Sequence, residues 1–148
     1  MKKTEKIFFS SPHQVESEAA MIALGRELAD CLEAGDVLGF VGDLGAGKTH
    51  LIQGILEGLG ATDAAASPTF SLVHEHRDGR LPAAHFDFYR MRAPEEAVGM
   101  GWDEYLAEGD RVLLVEWADR FDGSLMPACT QWVVLRHAGA GTREVHFI

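Results

Sequence analysis

Residues Gly42-Asp43-Leu44-Gly45-Ala46-Gly47-Lys48-Thr49 follow the spacing G-x-x-x-x-G-K-[ST], the pattern of a loop that cradles phosphates. Its glycines let backbone N–H groups close around a di- or triphosphate, the Lys48 ammonium meets the outer phosphates, and the Thr49 hydroxyl can ligate Mg²⁺. The flanks agree with this chemistry. Residues 37–41 are an apolar run that predicts a buried strand, and residues 51–59 place Leu51, Ile52, Ile55, Leu56 and Leu59 at helical spacing before Gly60. The pattern therefore predicts binding of a nucleoside triphosphate.

Hydrolysis asks for more: an acid near the metal and a group that positions the attacking water. Glu116 follows the apolar run Val112-Leu113-Leu114-Val115, and in open α/β sheets ligands gather at the carboxyl ends of strands. A carboxylate there can hold Mg²⁺ directly or through its waters; the plainer alternative is a solvated glutamate ending a strand. In His85-Phe86-Asp87-Phe88-Tyr89-Arg90 the period of a strand puts Phe86 and Phe88 on one face and His85, Asp87 and Tyr89 on the other. Asp87 can act on the metal shell or on the water, and Arg90 can neutralise phosphate charge; a structural ion pair on a polar face accounts for the same residues. Thr69, in Ser67-Pro68-Thr69, offers a hydroxyl from a loop of the kind that switches with nucleotide, although a proline-set turn explains that tripeptide as well. Trp117 can stack on a base or pack in the core. His74 and His76 share a strand face and lack a third metal ligand at fixed spacing.

The elements that would carry these groups are legible in outline. Val15, Ala19, Ile22, Leu28 and Leu32 recur at helical intervals over 15–32, and Gly35 stops that helix. Strands over 71–76 and 84–89, joined by Arg77-Asp78-Gly79-Arg80, predict a hairpin. Pro94 opens an acidic helical segment that Gly99 and Gly101 break up, residues 112–115 predict a strand covered on both faces, and 132–135 with 144–148 predict a closing hairpin. An α/β domain spanning 1–148 is expected, large enough to bury a core.

The formal charge of −10 opposes an autonomous grip on tRNA or DNA, because sequence-independent binding rests on basic side chains meeting phosphates. Cys31 and Cys129 are far apart in the sequence and without zinc or redox spacing, as expected of reduced thiols in a cytoplasmic protein. Only Ile7-Phe8-Phe9 follow the charged start before Ser10-Ser11-Pro12, so neither a signal peptide nor a membrane span is expected.

Taken in order, the phosphate loop, Ser67-Pro68-Thr69-Phe70, His85-Phe86-Asp87-Phe88-Tyr89-Arg90 and Val115-Glu116-Trp117 closely resemble the TsaE (YjeE) family over roughly residues 24–117. That is the bacterial P-loop ATPase family required for threonylcarbamoyladenosine modification of tRNA. The resemblance implies a P-loop NTPase-like three-layer fold with a central mixed sheet, ATP and Mg²⁺ as ligands, and work with TsaB and TsaD. In that family TsaD transfers the threonylcarbamoyl group to adenosine 37 of tRNAs reading codons that begin with adenine, and the ATPase resets the complex, touching tRNA only indirectly. Carried over, Gly42, Asp43, Leu44, Gly45, Ala46, Gly47 and Lys48 hold phosphates, Thr49 and Glu116 hold Mg²⁺, Asp87 serves hydrolysis, Thr69 belongs to a switch-like loop, and Trp117 lies near the nucleotide. The chain departs from the family pattern at His50, which lies beyond the phosphate contacts, and at Met21, where a family threonine is common; after Pro127 no motif is usable.

Three other readings compete. A GTPase needs an Asn-Lys-x-Asp element, and this chain contains no asparagine. A small-molecule kinase would want a lid rich in arginine, yet Arg77, Arg80, Arg90 and Arg92 are scattered. A subunit that binds ATP as a structural switch and barely hydrolyses it is the non-enzymatic rival.

Overall fold

The computed structural model describes residues 12–43, 46–63 and 73–148. Its strands are β1 (His13–Val15), β2 (Val37–Gly42), β3 (Val73–His76), β4 (Ala83–Asp87), β5 (Val112–Glu116), β6 (Gln131–Gly139) and β7 (Thr142–Phe147). They form one seven-stranded sheet in the order β1-β7-β6-β2-β5-β4-β3. The central strands β6, β2, β5 and β4 are parallel, and the antiparallel pairs β1–β7, β6–β7 and β3–β4 complete the two flanks. The helices are α1 (Glu18–Ala29), α2 (Lys48–Leu59), α3 (Glu96–Gly99) and α4 (Trp102–Glu108).

A parallel strand buried on both faces should be apolar throughout, and β5 shows why. Val112 and Leu114 enter one core with Leu28, Ile52 and Ile55 of α1 and α2, whereas Leu113 and Val115 enter the other with Phe86, Phe88 and Trp102. Helices thus cover both faces of a mixed sheet, the three-layer P-loop NTPase-like fold. α1 and α2 meet backbone to backbone: a Cβ placed on Gly54 would stand 2.1 Å from Ile22 O, and one on Gly25 2.3 Å from Leu51 O.

Several expected elements differ in their limits. Val15 belongs to β1, and α1 starts only at Glu18, capped by the Ser17 hydroxyl accepting from Ala20 N–H at 3.0 Å. Its buried face is Met21, Leu24, Leu28 and Ala29, while Ala19 is exposed; counting Val15 into the helix set the period in the wrong phase. β4 ends at Asp87 because the chain turns there, with Met91 N–H reaching Phe88 O at 3.2 Å. α4 was not expected; Gly101 starts it at φ 78°, and Trp102 fills the second core while donating from Nε1 to Leu125 O at 2.8 Å. The closing hairpin is longer than the expected 132–135 and 144–148, since its strands continue to Gly139 and begin again at Thr142.

Candidate functional site

β2 ends at Gly42 and α2 begins at Lys48, so the glycine-rich motif joins a strand end to a helix N-terminus. Leu44, Gly45 and Ser67-Pro68-Thr69-Phe70 lie outside the described residues. Gly47 precedes α2 at φ 100°, a conformation costly for any residue with a Cβ, and Met21 Cε lies 2.7 Å from where that Cβ would stand. Met21 therefore serves here as packing beneath the loop.

Lys48 is 6% exposed. Its Nζ donates to Gly42 O and, at 3.2 Å, to Asp43 O, and it stands 4.3 Å from the centre of the Trp117 ring. Burial holds its pKa below the usual lysine value, opposed by the carboxylates of Glu116, Asp119, Asp43 and Asp87.

Glu116 ends β5 and is buried; its Oε1 lies 3.4 Å from Thr49 Oγ1 and its Oε2 2.8 Å from His85 Nε2. The face of β4 that carries His85 and Asp87 is therefore largely covered rather than a solvated polar face: His85 is fully buried. Parallel pairing sets Asp87 in register with Glu116. Burial, with the Glu116 charge adding, raises the Asp87 pKa above the usual aspartate value, against a Tyr89 N–H donated to Oδ1 at 2.9 Å and the positive charge of Arg90.

Trp117 turns the chain out of β5 at φ 57°, a rare conformation for a bulky residue. Its ring packs partly against the second core and tilts over Tyr89 with centroids 4.8 Å apart. It also lines a cavity of about 470 Å³ whose walls include Lys48, Thr49, Glu116, Met21 and Arg143. That volume is within the usual range for small-ligand sites. Core packing and proximity to a ligand are thus compatible for this residue.

Arg143 and His50 are among the wall residues that were not anticipated. Arg143 comes from β7, in the tail that carries no motif, and adds a cation to an acid-rich site. His50, set aside in the sequence reading as lying beyond the phosphate contacts, lines the same cavity with its Nε2 3.7 Å from Glu18 Oε2. The Thr49 hydroxyl and the Glu116 carboxylate supply hard oxygen donors on one wall, a donor set suited to Mg²⁺.

Residues 15–145 match the model of the family described as Threonylcarbamoyl adenosine biosynthesis protein TsaE. The chain belongs to the TsaE family. It is 43% identical over 125 residues to tRNA threonylcarbamoyladenosine biosynthesis protein TsaE of Bacillus subtilis strain 168, spanning 84% of this chain and 77% of that protein. Identity to the protein of the same name from Haemophilus influenzae is 36% over 119 residues, spanning 77% and 75%. The crystal structure of Bacillus subtilis YdiB has the same fold, with a TM-score of 0.75 at 35% identity over 92% of this chain and 82% of that one. The family match runs past Arg143, so it takes in the hairpin wall of the cavity that the motif resemblance, ending near residue 117, did not reach. Among the described residues no helix is long and apolar enough to cross a membrane.

Proposed function

We propose that the protein is a cytoplasmic Mg²⁺-dependent ATPase subunit of tRNA threonylcarbamoyladenosine biosynthesis, acting on a TsaB–TsaD transferase complex and leaving the transfer itself to TsaD. The observation that carries this reading is the convergence of Lys48, Thr49 and Glu116 on one cavity between β2, α2 and β5. The names of its TsaE relatives supply the pathway.

Thr49 and Glu116 would hold Mg²⁺, which when bound neutralises charge on the outer phosphates. Lys48 is turned onto the carbonyls of Gly42 and Asp43. An incoming phosphate would compete for its protons with the stronger, charge-assisted hydrogen bond. His85 fixes one Glu116 oxygen and so leaves the other turned toward Thr49. Asp87, in register with Glu116, would orient water by accepting its hydrogen bond, a role that requires the ionised carboxylate. Trp117 lines one side of the cavity and would restrict water around bound phosphates.

The net charge of −10 supports an indirect route to tRNA. The isolated chain is expected to hydrolyse ATP weakly and to show no salt-sensitive tRNA binding, and addition of TsaB and TsaD is expected to raise turnover. Filter binding at low salt beside ATPase assays with and without those partners checks both. Tight tRNA binding by the isolated chain, or turnover indifferent to the partners, would overturn the proposal.

A further inference from the structure

We propose that Asp63, His74 and His76 form a binding site for a divalent transition-metal ion, separate from the nucleotide cavity. His74 and His76 lie two residues apart on the edge strand β3, so their imidazoles leave the same face, with centroids 4.3 Å apart at 27°. Asp63, which follows α2, supplies the third ligand that their spacing lacked. Its Oδ2 is 2.9 Å from His74 Nε2 and its Oδ1 is 2.7 Å from His76 Nδ1. One donor atom from each residue falls within 4.8 Å of the others.

Two imidazoles and one carboxylate form a nitrogen and oxygen donor set that suits a divalent transition-metal ion such as Zn²⁺, Co²⁺ or Ni²⁺ and leaves positions for water.

His76 is 2% exposed, and its Nε2 has no hydrogen-bond partner among the described residues. The surrounding charges do not neutralise Asp63. Arg77 is turned to Glu75 at 2.6 Å, and Asp78 accepts from Thr62 N–H at 3.1 Å and from the Thr62 hydroxyl. These last bonds hold the residue that precedes Asp63, and the open cleft beside it is lined by Asp63, Glu75, His76 and Asp78. A bound ion would cross-link the end of the α2 connection to the edge of the sheet and raise thermal stability by mass action.

The test uses the full chain, freed of metal with EDTA, desalted and kept without nucleotide. Calorimetric titration with CoCl₂ is run beside thermal melts for the parent, His74→Ala, Asp63→Asn and Glu116→Gln. His74 and Asp63 are partly exposed, so their replacement spares the core. One Co²⁺ per chain is expected, with a raised Tm. His74→Ala and Asp63→Asn should weaken binding by about 100-fold or more, beyond what loss of an outer-shell partner costs, while Glu116→Gln should leave it unchanged. No saturable binding, binding retained by both ligand variants, or binding lost in Glu116→Gln would each overturn the site. Because ATP is absent, the result is independent of the proposed ATPase activity.

Discussion

Replacing Gly54 by alanine sets two effects of opposite sign against each other. Alanine is favoured over glycine in a helix interior by about 1 kcal/mol. The new Cβ, however, would stand 2.1 Å from Ile22 O, 2.8 Å from Ile22 C and 3.0 Å from Gly25 Cα. The first of these is about 1 Å inside the closest tolerable approach, and the obstacle is backbone, which cannot rotate away. α1 and α2 would have to part by about that distance, and a gap of 0.5–1 Å already forfeits roughly a quarter to a half of the dispersion energy of each contact along the seam. Overpacking of this kind costs about 1–3 kcal/mol or more, and the loosened seam between Leu24, Leu28, Leu51 and Ile55 adds to it. We expect a net loss of about 2 kcal/mol, equivalent to about 4–8 °C in Tm for a chain of this size. Urea and thermal unfolding should show it, with Gly99→Ala, whose Cβ would meet nothing within 4 Å, as the control. A Gly54→Ala protein as stable as the parent, or a Gly99→Ala protein that loses as much, would refute the close-packing argument.

Lys48→Ala should weaken Mg-ATP binding by about ten- to a hundredfold, the worth of a hydrogen bond to a charged group; titration calorimetry on the folded variant that returned parental affinity would remove Lys48 from the phosphate site. Glu116→Gln and Asp87→Asn should retain ATP while lowering single-turnover hydrolysis by about 10²–10³, the usual loss for one preorganised electrostatic group, and undiminished hydrolysis in both would leave them structural. Tyr105→Phe tests a second network: the Tyr105 hydroxyl donates to Glu75 Oε1, holding the Glu75 carboxyl below its usual value while its own pKa is pushed up to about 12, chiefly by burial. A lowered carboxylate pKa stabilises the fold above the unfolded value of 4.5 and loses that contribution as pH falls through the folded one. The variant should therefore lose about 1–2 kcal/mol at pH 7, and its deficit in urea unfolding should shrink below pH 4.5; a deficit independent of pH would contradict the assignment.

What could be read from the chain depended on how local each signal was. The phosphate loop is legible because its function resides in consecutive backbone groups, and Glu116 because a strand buried on both faces is apolar until it reaches the edge of the sheet, where the next residue can be charged. The two-residue period of β4 likewise separated Phe86 and Phe88 from His85 and Asp87. It could not indicate that the second face is also covered, because that depends on α2 and on the parallel register with β5. Arg143 and Asp63 were illegible for the same reason. Arg143 reaches the cavity only because β7 folds back on β6, which pairs with β2. Asp63 meets His74 and His76 only because the chain leaving α2 returns to the sheet edge. Single residues of this kind leave no periodic trace, since their neighbours in sequence are not their neighbours in space. The helix α1 failed differently: Val15 lay at a permissible helical interval from Ala19 and Ile22, and only the pairing of His13–Val15 with β7 decided that it belongs to the sheet. A three-residue edge strand is too short to show a period of two, so backbone pairing with a strand more than a hundred residues away settled the conformation that local pattern left ambiguous.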